Sequence, residues 1–403
     1  MPVQGFGYLY MLRFLTAGES HGPSLTAILE GMPAGLPLIS DSIDRELARR
    51  QQGYGSGGRM KIERDHARIT SGVMSGRTTG GPIAFIVENL DYVKWAERDI
   101  EAMTIPRPGH ADLTGAVKYG YRELRLALER ASARETTMRV AVGAACRALL
   151  AEFGIVIGGY VESVGEIGVG EAVHGPIDYA ARFAAAEESD VRCYDAERAE
   201  RMRARIRQVM SDKDTLGGVV EVVVLNTPPG LGSHVHWDRR LNAKLAAAVM
   251  SIHAVKGVEI GDGFAEAQLP GTQVQDELYA VDGELRRRSN HAGGIEGGIS
   301  NGEPIVLRTA FKPIATTLNP LDSVDLANGE SVKTKYERSD FCQVPRAVPI
   351  VEAMVAFVLA EALLEKLGGD SIDEMRPRFE QLRRARLDQL PMDAAPWRFG
   401  FQP

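Results

Sequence analysis

The chain has 403 residues, of which 44% are hydrophobic, and a formal net charge of −7, which is ordinary for a globular protein with material for a large core. This acidic balance argues against nucleic acid or an anionic membrane as the main partner, since both select a basic surface. The three cysteines, Cys146, Cys193 and Cys342, show no metal-binding spacing and leave an odd thiol, which favours a reducing cytoplasm over a disulfide scaffold.

The first part of the chain predicts a tail, then strands and one helix. Residues 1–10 show no periodic pattern and no basic segment followed by an apolar one, so we expect a loose extension and no signal peptide. Residues 25–30 alternate between two faces, as a half-buried strand does. Residues 40–51 predict a helix with Ile43 and Leu47 facing inward. Further along come a glycine-rich loop at residues 53–58, strands at residues 67–73 and 83–88, and a rigid turn at residues 106–112.

A long helical region at residues 113–153 is predicted to break near Arg130, because residues 132–135 form a capping-box pattern. The later predicted elements are β-rich segments at residues 155–168 and 217–226, a strand at residues 305–311, and helices at residues 196–210, 237–253, 349–367 and 371–390. The helix at residues 196–210 is dense in charges and is predicted to be exposed. Three glutamates interrupt the apolar segment 349–367, which predicts a core helix and excludes a membrane span. Because no linker divides the chain, we predict one α+β domain over residues 11–390, with extensions at residues 1–10 and 391–403.

Two short motifs place a histidine on a tight turn. His21 lies in GESHG, residues 18–22, and His110 lies in RPGHAD, residues 107–112. Glycines let the backbone approach a ligand closely, and an imidazole exchanges protons near neutral pH. Spacing alone equally allows a turn with locally satisfied polar groups at His21, and a structural hydrogen bond between His110 and Asp112.

Arginines gather around two further loops, and arginine outnumbers lysine by 37 to 10 in the chain. Arg50 precedes the glycine loop at residues 53–58, whereas Arg130 and Arg134 flank Ser132. The planar guanidinium suits carboxylates and phosphates, and a helix capped by Ser132 would present its N–H groups to an anion. A solvated basic face and an ordinary capped helix are the alternatives. Neither loop matches the P-loop or the dinucleotide fingerprint.

Seven motifs stand in one order along the chain. The long ones are GESHGPSL from Gly18, ERASARETTMRVAVGAA from Glu129 and RSDFCQVPRAVPIVEAM from Arg338, and between them lie RPGHAD, DTLGG, KGVEIGDGF and NHAGGIEGG. This set and its order resemble the chorismate synthase family over about residues 11–370. One such motif would be weak, but seven in order make a chance agreement negligible.

The resemblance implies a helical core sandwiched between two antiparallel β-sheets, assembled as a homotetramer in the cytoplasm. It implies a carbon–oxygen lyase of the shikimate pathway, which converts 5-enolpyruvylshikimate 3-phosphate to chorismate by 1,4-anti elimination of phosphate. Reduced FMN is required, although the reaction has no net redox change. Substrate and cofactor together carry several negative charges, which suits the arginine-rich loops.

The resemblance also implies roles for individual residues. His21 protonates or stabilises the departing phosphate, His110 supports the reduced, anionic flavin, and Asp340 accepts a proton from the flavin. The residues implied to bind substrate are Ser20, Arg50, Arg59, Arg107 and Arg134. The residues implied to contact FMN are Arg130, Ala131, Ser132, His253, Ala254, Gly297, Lys312, Pro313, Ile314, Ala315, Thr316 and Arg338. No metal site is expected.

Two positions depart from the family pattern. Ser56 stands where many members carry an arginine, and Arg59 is a substitute nearby. Because an NADPH phosphate normally needs arginine contacts, we expect no built-in reductase and a separate flavin reductase as partner. Position 253 varies in the family, so the expected FMN contact of His253 is through its backbone.

Two other functions fit the glycine loops and arginines. A flavin oxidoreductase would transfer a hydride and consume NADPH. A non-catalytic polyanion-binding protein would bind in a salt-sensitive way without turnover.

Overall fold

Two antiparallel sheets enclose a layer of helices in the computed structural model, which describes residues 12–56, 65–168, 177–337 and 339–400. Its strands are β1 (Arg13–Ala17), β2 (Ser24–Glu30), β3 (Ala67–Ser71), β4 (Val73–Met74), β5 (Arg77–Thr78), β6 (Ile83–Glu88), β7 (Val156–Val164), β8 (Ile167–Gly168), β9 (Gly218–Leu225), β10 (Val255–Ile260), β11 (Leu278–Val281), β12 (Glu284–Arg287), β13 (Ile295–Glu296), β14 (Ile299–Ser300), β15 (Ile305–Phe311), β16 (Asp322–Val324) and β17 (Ser331–Lys333). Its α-helices are α1 (Ser40–Gln51), α2 (Asp112–Tyr119), α3 (Arg125–Arg130), α4 (Thr136–Ala151), α5 (Tyr179–Glu188), α6 (Ala196–Ser211), α7 (Leu241–Met250), α8 (Gly271–Val274), α9 (Val344–Leu367) and α10 (Ile372–Glu380).

The first sheet has the strand order β1-β2-β6-β3, and its neighbouring strands are antiparallel. Strand β2 buries Leu25, Ala27 and Leu29 on one face, as its alternation predicts. The opposite face carries Ile28, which is exposed. Since side chains alternate along a strand, one face of this sheet packs on the core and the other faces outward.

The second sheet has the order β10-β15-β9-β7-β8 and is also antiparallel. Its central strand β9 buries Val220, Val222 and Val224. Helix α4 contacts the first sheet through β1, β2 and β6, whereas α9 contacts β7 and β9 of the second. The helices therefore form the middle layer, which confirms the predicted α+β sandwich.

Helices α4 and α9 approach each other closely at the centre of this layer. A Cβ on Gly143 of α4 would lie 2.5 Å from the Cα of Ala353 in α9. Helix α9 is long and apolar enough, by length and composition, to cross a membrane, but 89% of its apolar window is buried inside the protein. It is a core helix, as predicted from residues 349–367.

A buried ion network ties α1, α4 and α9 together. Glu352 Oε2 accepts hydrogen bonds from Arg49 Nη1 at 2.6 Å and from Arg147 Nη1 at 3.0 Å. Burial opposes ionisation of Glu352, but the two guanidinium groups lower its pKa to about 2. Arg49 and Arg147 also share Glu46 of α1, so these ion pairs connect the three helices to one another.

Several helix boundaries differ from the sequence predictions. The region predicted helical at residues 113–153 contains α2, α3 and α4, because Gly120 ends α2 in the left-handed conformation (φ 69°) in addition to the predicted break after Arg130. The helix predicted at residues 237–253 is shortened to α7, because Arg240 is extended and the Leu241 N–H donates to Gly298 O. Helix α9 begins five residues before the predicted start at 349.

The helix predicted at residues 371–390 ends at Glu380. The following segment binds the hairpin β11–β12 instead: the Leu285 N–H donates to Ala385 O, and the Leu387 N–H donates to Gly283 O. Helix α6 was predicted to be exposed, yet it buries one face, with Met202 and Ile206 inaccessible. Tertiary contacts decide both outcomes.

Candidate active site

The GESHG turn and the end of α3 dock on each other. The Ser20 N–H donates to Glu129 O at 3.2 Å, and the Ser132 hydroxyl lies 3.1 Å from the Ser20 hydroxyl. Arg130 Nη2 donates to Thr16 O at 2.9 Å. Two motifs more than a hundred residues apart thus form one surface, with Ala131 between Arg130 and Ser132.

His21 is held on this surface by a carboxylate. Its Nδ1 lies 2.7 Å from Glu129 Oε1, and its backbone N–H donates to Glu129 Oε2 at 2.7 Å. The Trp95 ring packs against the imidazole with a centroid distance of 4.4 Å. Burial opposes ionisation of Glu129, but the hydrogen bonds from His21 lower its pKa below the usual range.

His110 has a similar partner, because RPGHAD folds into a turn in front of α2. His110 Nδ1 lies 2.5 Å from Asp112 Oδ1, and Arg107 Nε donates to Asp112 Oδ2 at 2.8 Å. Asp112 is fully buried. Although burial opposes its ionisation, hydrogen bonds from His110 and Arg107 hold the pKa of Asp112 well below the usual range. The hydrogen bond between His110 and Asp112, which the spacing allowed, is present.

Two buried arginines, Arg50 of α1 and Arg134 of the turn before α4, meet beside Ser132. Arg134 Nη1 contacts both carboxylate oxygens of Asp65, at 2.7 and 2.8 Å. Arg50 Nε donates to Thr136 Oγ1 at 3.0 Å, and its Nη1 has no hydrogen-bond partner in the described part of the chain. Burial and the neighbouring Arg346 lower the pKa of Arg50 to about 9, so the guanidinium remains charged at neutral pH. This concentration of buried positive charge favours an anionic ligand.

Asp340 lies at the edge of the arginine group. Its Oδ2 accepts a hydrogen bond from Arg346 Nη1, and Arg346 Nε donates to Arg50 O at 3.2 Å. Asp340 therefore lies near Arg50, which the resemblance assigns to substrate. Arg59 and Arg338, also predicted for this site, lie outside the described residues.

The segment from Lys312 to Thr316 joins the His110 turn to the residues after α7. Lys312 Nζ donates to Gly109 O at 2.6 Å, and the Lys312 N–H donates to Ala254 O at 3.0 Å. Arg107 Nη1 donates to Thr316 Oγ1 at 3.3 Å. Between them, Ile314 O accepts a hydrogen bond from Thr215, while Pro313 and Ala315 continue the segment.

His253 lies close to the Arg130 end of the site. Burial lowers the pKa of His253, so its imidazole is neutral at pH 7, and its Nδ1 is buried without a hydrogen-bond partner among the described residues. The charges that act on it include Glu135, Arg130 and His110. The next residue, Ala254, adopts a positive φ of 65°. An orphaned ring nitrogen on a strained turn suits a bound polar group.

Gly297 is predicted to contact FMN, but it does not take part in the contacts described above. It lies in the turn between β13 and β14, and its neighbour Gly298 accepts a hydrogen bond from Leu241 at the start of α7. His253 follows the other end of that helix, and ten residues of α-helix span about 15 Å. Within one chain the predicted FMN residues therefore do not form a single cluster.

Four residues of the site were not predicted from the sequence as partners: Glu129, Asp65, Arg346 and Trp95. Glu129 is the first residue of the motif ERASARETTMRVAVGAA, but nothing in the sequence indicates that it contacts His21. Asp65 and Trp95 lie in segments without a motif, and nothing in their spacing indicates a contact.

The fold is an α+β sandwich, and its candidate site contains two histidine–carboxylate pairs and buried arginines, an arrangement that suits an anionic ligand. The sequence pattern of the chorismate synthase family matches residues 12–364. Chorismate synthases from Pelobacter propionicus and Geobacter sulfurreducens are 52% and 54% identical to this chain over 387 residues, covering 92% of it and 98% of each relative. A crystal structure of chorismate synthase superposes with a TM-score of 0.77 at 45% identity, covering 92% of this chain and 97% of that one.

The chain belongs to the chorismate synthase family. By this membership it is a carbon–oxygen lyase of aromatic amino-acid biosynthesis, which decides against the oxidoreductase and the polyanion-binding protein.

Proposed function

We propose that the site converts 5-enolpyruvylshikimate 3-phosphate to chorismate by 1,4-anti elimination of phosphate, with reduced FMN bound beside the substrate. The observation that carries this proposal is the link made at Ser132, whose hydroxyl contacts Ser20, the neighbour of His21, and accepts a hydrogen bond from the Arg134 N–H. Arg50 Nη2 donates to the adjacent Ala133 O. These contacts bring the loop that carries a proton donor to the buried positive charge that a departing phosphate needs.

The arginines bind the anionic groups of the substrate. Arg50 Nη1 lies 3.5 Å from Asp65 Oδ2 and makes no hydrogen bond to the described residues, whereas Arg134 Nη1 contacts both oxygens of the same carboxylate. Arg107 is fixed in the same way by Asp112. Because each guanidinium has a set orientation before the substrate arrives, little rearrangement is needed on binding. Ser20, at the Ser132 turn, adds a hydroxyl donor.

His21 supplies the proton. Its Nδ1 side is occupied by Glu129, so the ring presents Nε2 to the substrate. An imidazolium at this position stabilises the charge that develops on the leaving phosphate and then gives up the Nε2 proton. Asp340, held through Oδ2 by Arg346, takes up a proton from the reacting centre.

The residues present fit FMN. The His253 Nδ1 without a hydrogen-bond partner among the described residues, the Ala254 turn and the Lys312 ammonium lie near the His110 turn. Arg130 and Ser132, on either side of Ala131, add side-chain hydrogen-bond donors. Together with Pro313, Ile314, Ala315 and Thr316, these residues would hold the cofactor. Reduced FMN, when bound, supplies electron density for breaking the carbon–oxygen bond. His110, paired with Asp112, supports the negative charge of that reduced form.

The His21→Ala variant tests the proposed acid. We expect turnover to fall by about 10²–10⁴-fold, the usual contribution of a general acid, while FMN still binds. Phosphate release under anaerobic conditions measures the first effect and flavin fluorescence titration the second. Near-normal turnover would remove His21 from the mechanism.

We also propose that the enzyme is a cytoplasmic homotetramer that receives reduced flavin from a separate reductase. Supporting this, Ser56 occupies the loop position where an arginine would help to bind NADPH, and its hydroxyl donates to Gly53 O within the loop. Mixing the protein anaerobically with oxidised FMN, NADPH and substrate should give no sustained chorismate formation until a flavin reductase is added. Sustained formation without the reductase would show a built-in reductase activity. Light scattering measures the assembly.

A further inference from the structure

Glu129 holds His21 in a geometry that sets the proton position on its ring. Both carboxylate oxygens of Glu129 contact His21: Oε1 lies 2.7 Å from the ring Nδ1, and Oε2 accepts a hydrogen bond from the backbone N–H at 2.7 Å. A carboxylate is an acceptor at both oxygens, so the hydrogen between His21 and Oε1 must sit on Nδ1. Trp95 covers the ring at a centroid distance of 4.4 Å, which limits rotation.

The remaining ring nitrogen is the one that faces away from this clamp. No hydrogen bond joins His21 Nε2 to any other residue of the described structure, and the side chain is 23% exposed. The neutral ring therefore carries its hydrogen on Nδ1 and can accept a proton at Nε2. The protonated ring places the positive charge next to the Glu129 carboxylate, which stabilises it.

We propose that Glu129 is a positioning residue that fixes the His21 tautomer and stabilises the imidazolium which donates from Nε2 to the leaving phosphate. The chemical part of this role rests on the proposed function of His21. The positioning part does not, because it follows from the contacts alone. Both oxygens of the Glu129 carboxylate accept hydrogen bonds from His21, one from the ring and one from the backbone.

The charge environment agrees with this role. Burial opposes ionisation of Glu129, but the hydrogen bonds from His21 and the charge of Arg125, one helical turn earlier, lower its pKa. Glu129 is therefore ionised throughout the neutral range. Its charge is available to His21 at every pH at which the enzyme would work.

The Glu129→Gln variant separates charge from shape. The backbone N–H of His21 still requires an acceptor, so the amide oxygen stays there and the amide NH₂ turns toward Nδ1. Nδ1 must then be an acceptor, which places the ring hydrogen on Nε2 and disfavours the imidazolium. The matched control is Glu123→Gln, because Glu123 is also partly buried but accepts from the backbone N–H groups of Met103 and Arg125.

The experiment is nitrogen-15 NMR spectroscopy of histidine-labelled protein, with His21 assigned by its absence in His21→Ala. In the wild-type protein the neutral His21 ring should carry its hydrogen on Nδ1. In Glu129→Gln the hydrogen should move to Nε2, because the amide NH₂ then faces Nδ1. In Glu123→Gln the hydrogen should remain on Nδ1.

Kinetics then connects this positioning to turnover. In Glu129→Gln, kcat should fall by about 10²-fold or more, with a smaller change in KM. Glu129→Asp, which keeps the charge, should recover part of kcat.

Three results would overturn the inference. They are an Nε2–H tautomer in the wild-type protein, an Nδ1–H tautomer in Glu129→Gln, and equal loss of kcat in both glutamine variants. The first of these results needs no variant to fold. If His21→Ala kept its turnover while the Nδ1–H tautomer was found, the proposed function would fail and the positioning would stand.

Discussion

At the scale of single residues, the site pairs its cations with internal carboxylates. His21 has Glu129, His110 has Asp112, Arg134 has Asp65 and Arg346 has Asp340. Burying a cation without such a partner would cost folding free energy. The pairs also fix the direction in which each cation donates its hydrogen bonds. The site is therefore organised before ligands bind, at the cost of concentrating many charges.

Arg134→Lys tests whether the fork geometry of the guanidinium matters. A lysine keeps the charge and the contact with Asp65 but cannot provide a second directed donor. We expect the substrate KM to rise about 10- to 100-fold, since a charge-assisted hydrogen bond is worth about 1.5–3 kcal/mol. Steady-state kinetics with chemically reduced FMN measures it.

The control for that substitution is Arg203→Lys, because Arg203 also binds two carboxylates, Asp190 and Glu200, but on the exposed face of α6. Its KM should match that of the wild type. An unchanged KM in Arg134→Lys would mean that the arginine serves the fold and not the substrate.

At the scale of secondary-structure elements, the local residue pattern predicted where an element lies more accurately than how long it is. The strand at residues 25–30 and the helix at residues 40–51 were predicted to within a residue, because their inward residues repeat at the period of each structure. The helix predicted at residues 371–390 was wrong beyond Glu380, because backbone pairing with β12 replaces helical hydrogen bonds there. A single-sequence pattern does not contain that distant partner.

The contact between α4 and α9 gives a prediction at this scale. In an isolated helix, replacing glycine by alanine is favourable by about 1 kcal/mol. At Gly143 the added methyl would strike Ala353, 2.5 Å from its Cα, so Gly143→Ala should instead destabilise the protein by about 1–3 kcal/mol. Chemical denaturation followed by circular dichroism measures the change.

Two companion variants identify the cause. The double variant Gly143→Ala with Ala353→Gly restores space between the helices and should recover part of the loss. Gly271→Ala, where an added Cβ meets no atom within 4 Å, should leave stability nearly unchanged. A Gly143→Ala protein as stable as the wild type would contradict the close helix packing.

At the scale of the whole molecule, the ordered motifs suffice to predict the fold and the family from the amino-acid sequence alone. The sandwich of two sheets and the family are confirmed, whereas the predicted roles of the site residues stay predictions. The pairings of His21 with Glu129 and of Arg134 with Asp65 span 108 and 69 residues, and no local spacing encodes them. The position of Gly297 could not be predicted either, because its motif does not indicate that it lies near the start of α7, whereas His253 follows the end of that helix.

The most direct test of the account is the stoichiometry of one anaerobic reaction. Purified protein is mixed with 5-enolpyruvylshikimate 3-phosphate and chemically reduced FMN, and chorismate, phosphate and the flavin spectrum are followed together. The account predicts equal amounts of chorismate and phosphate over many turnovers, with the flavin still reduced at the end. Flavin oxidised in proportion to product, or flavin that stays bound while no phosphate is released, would contradict it.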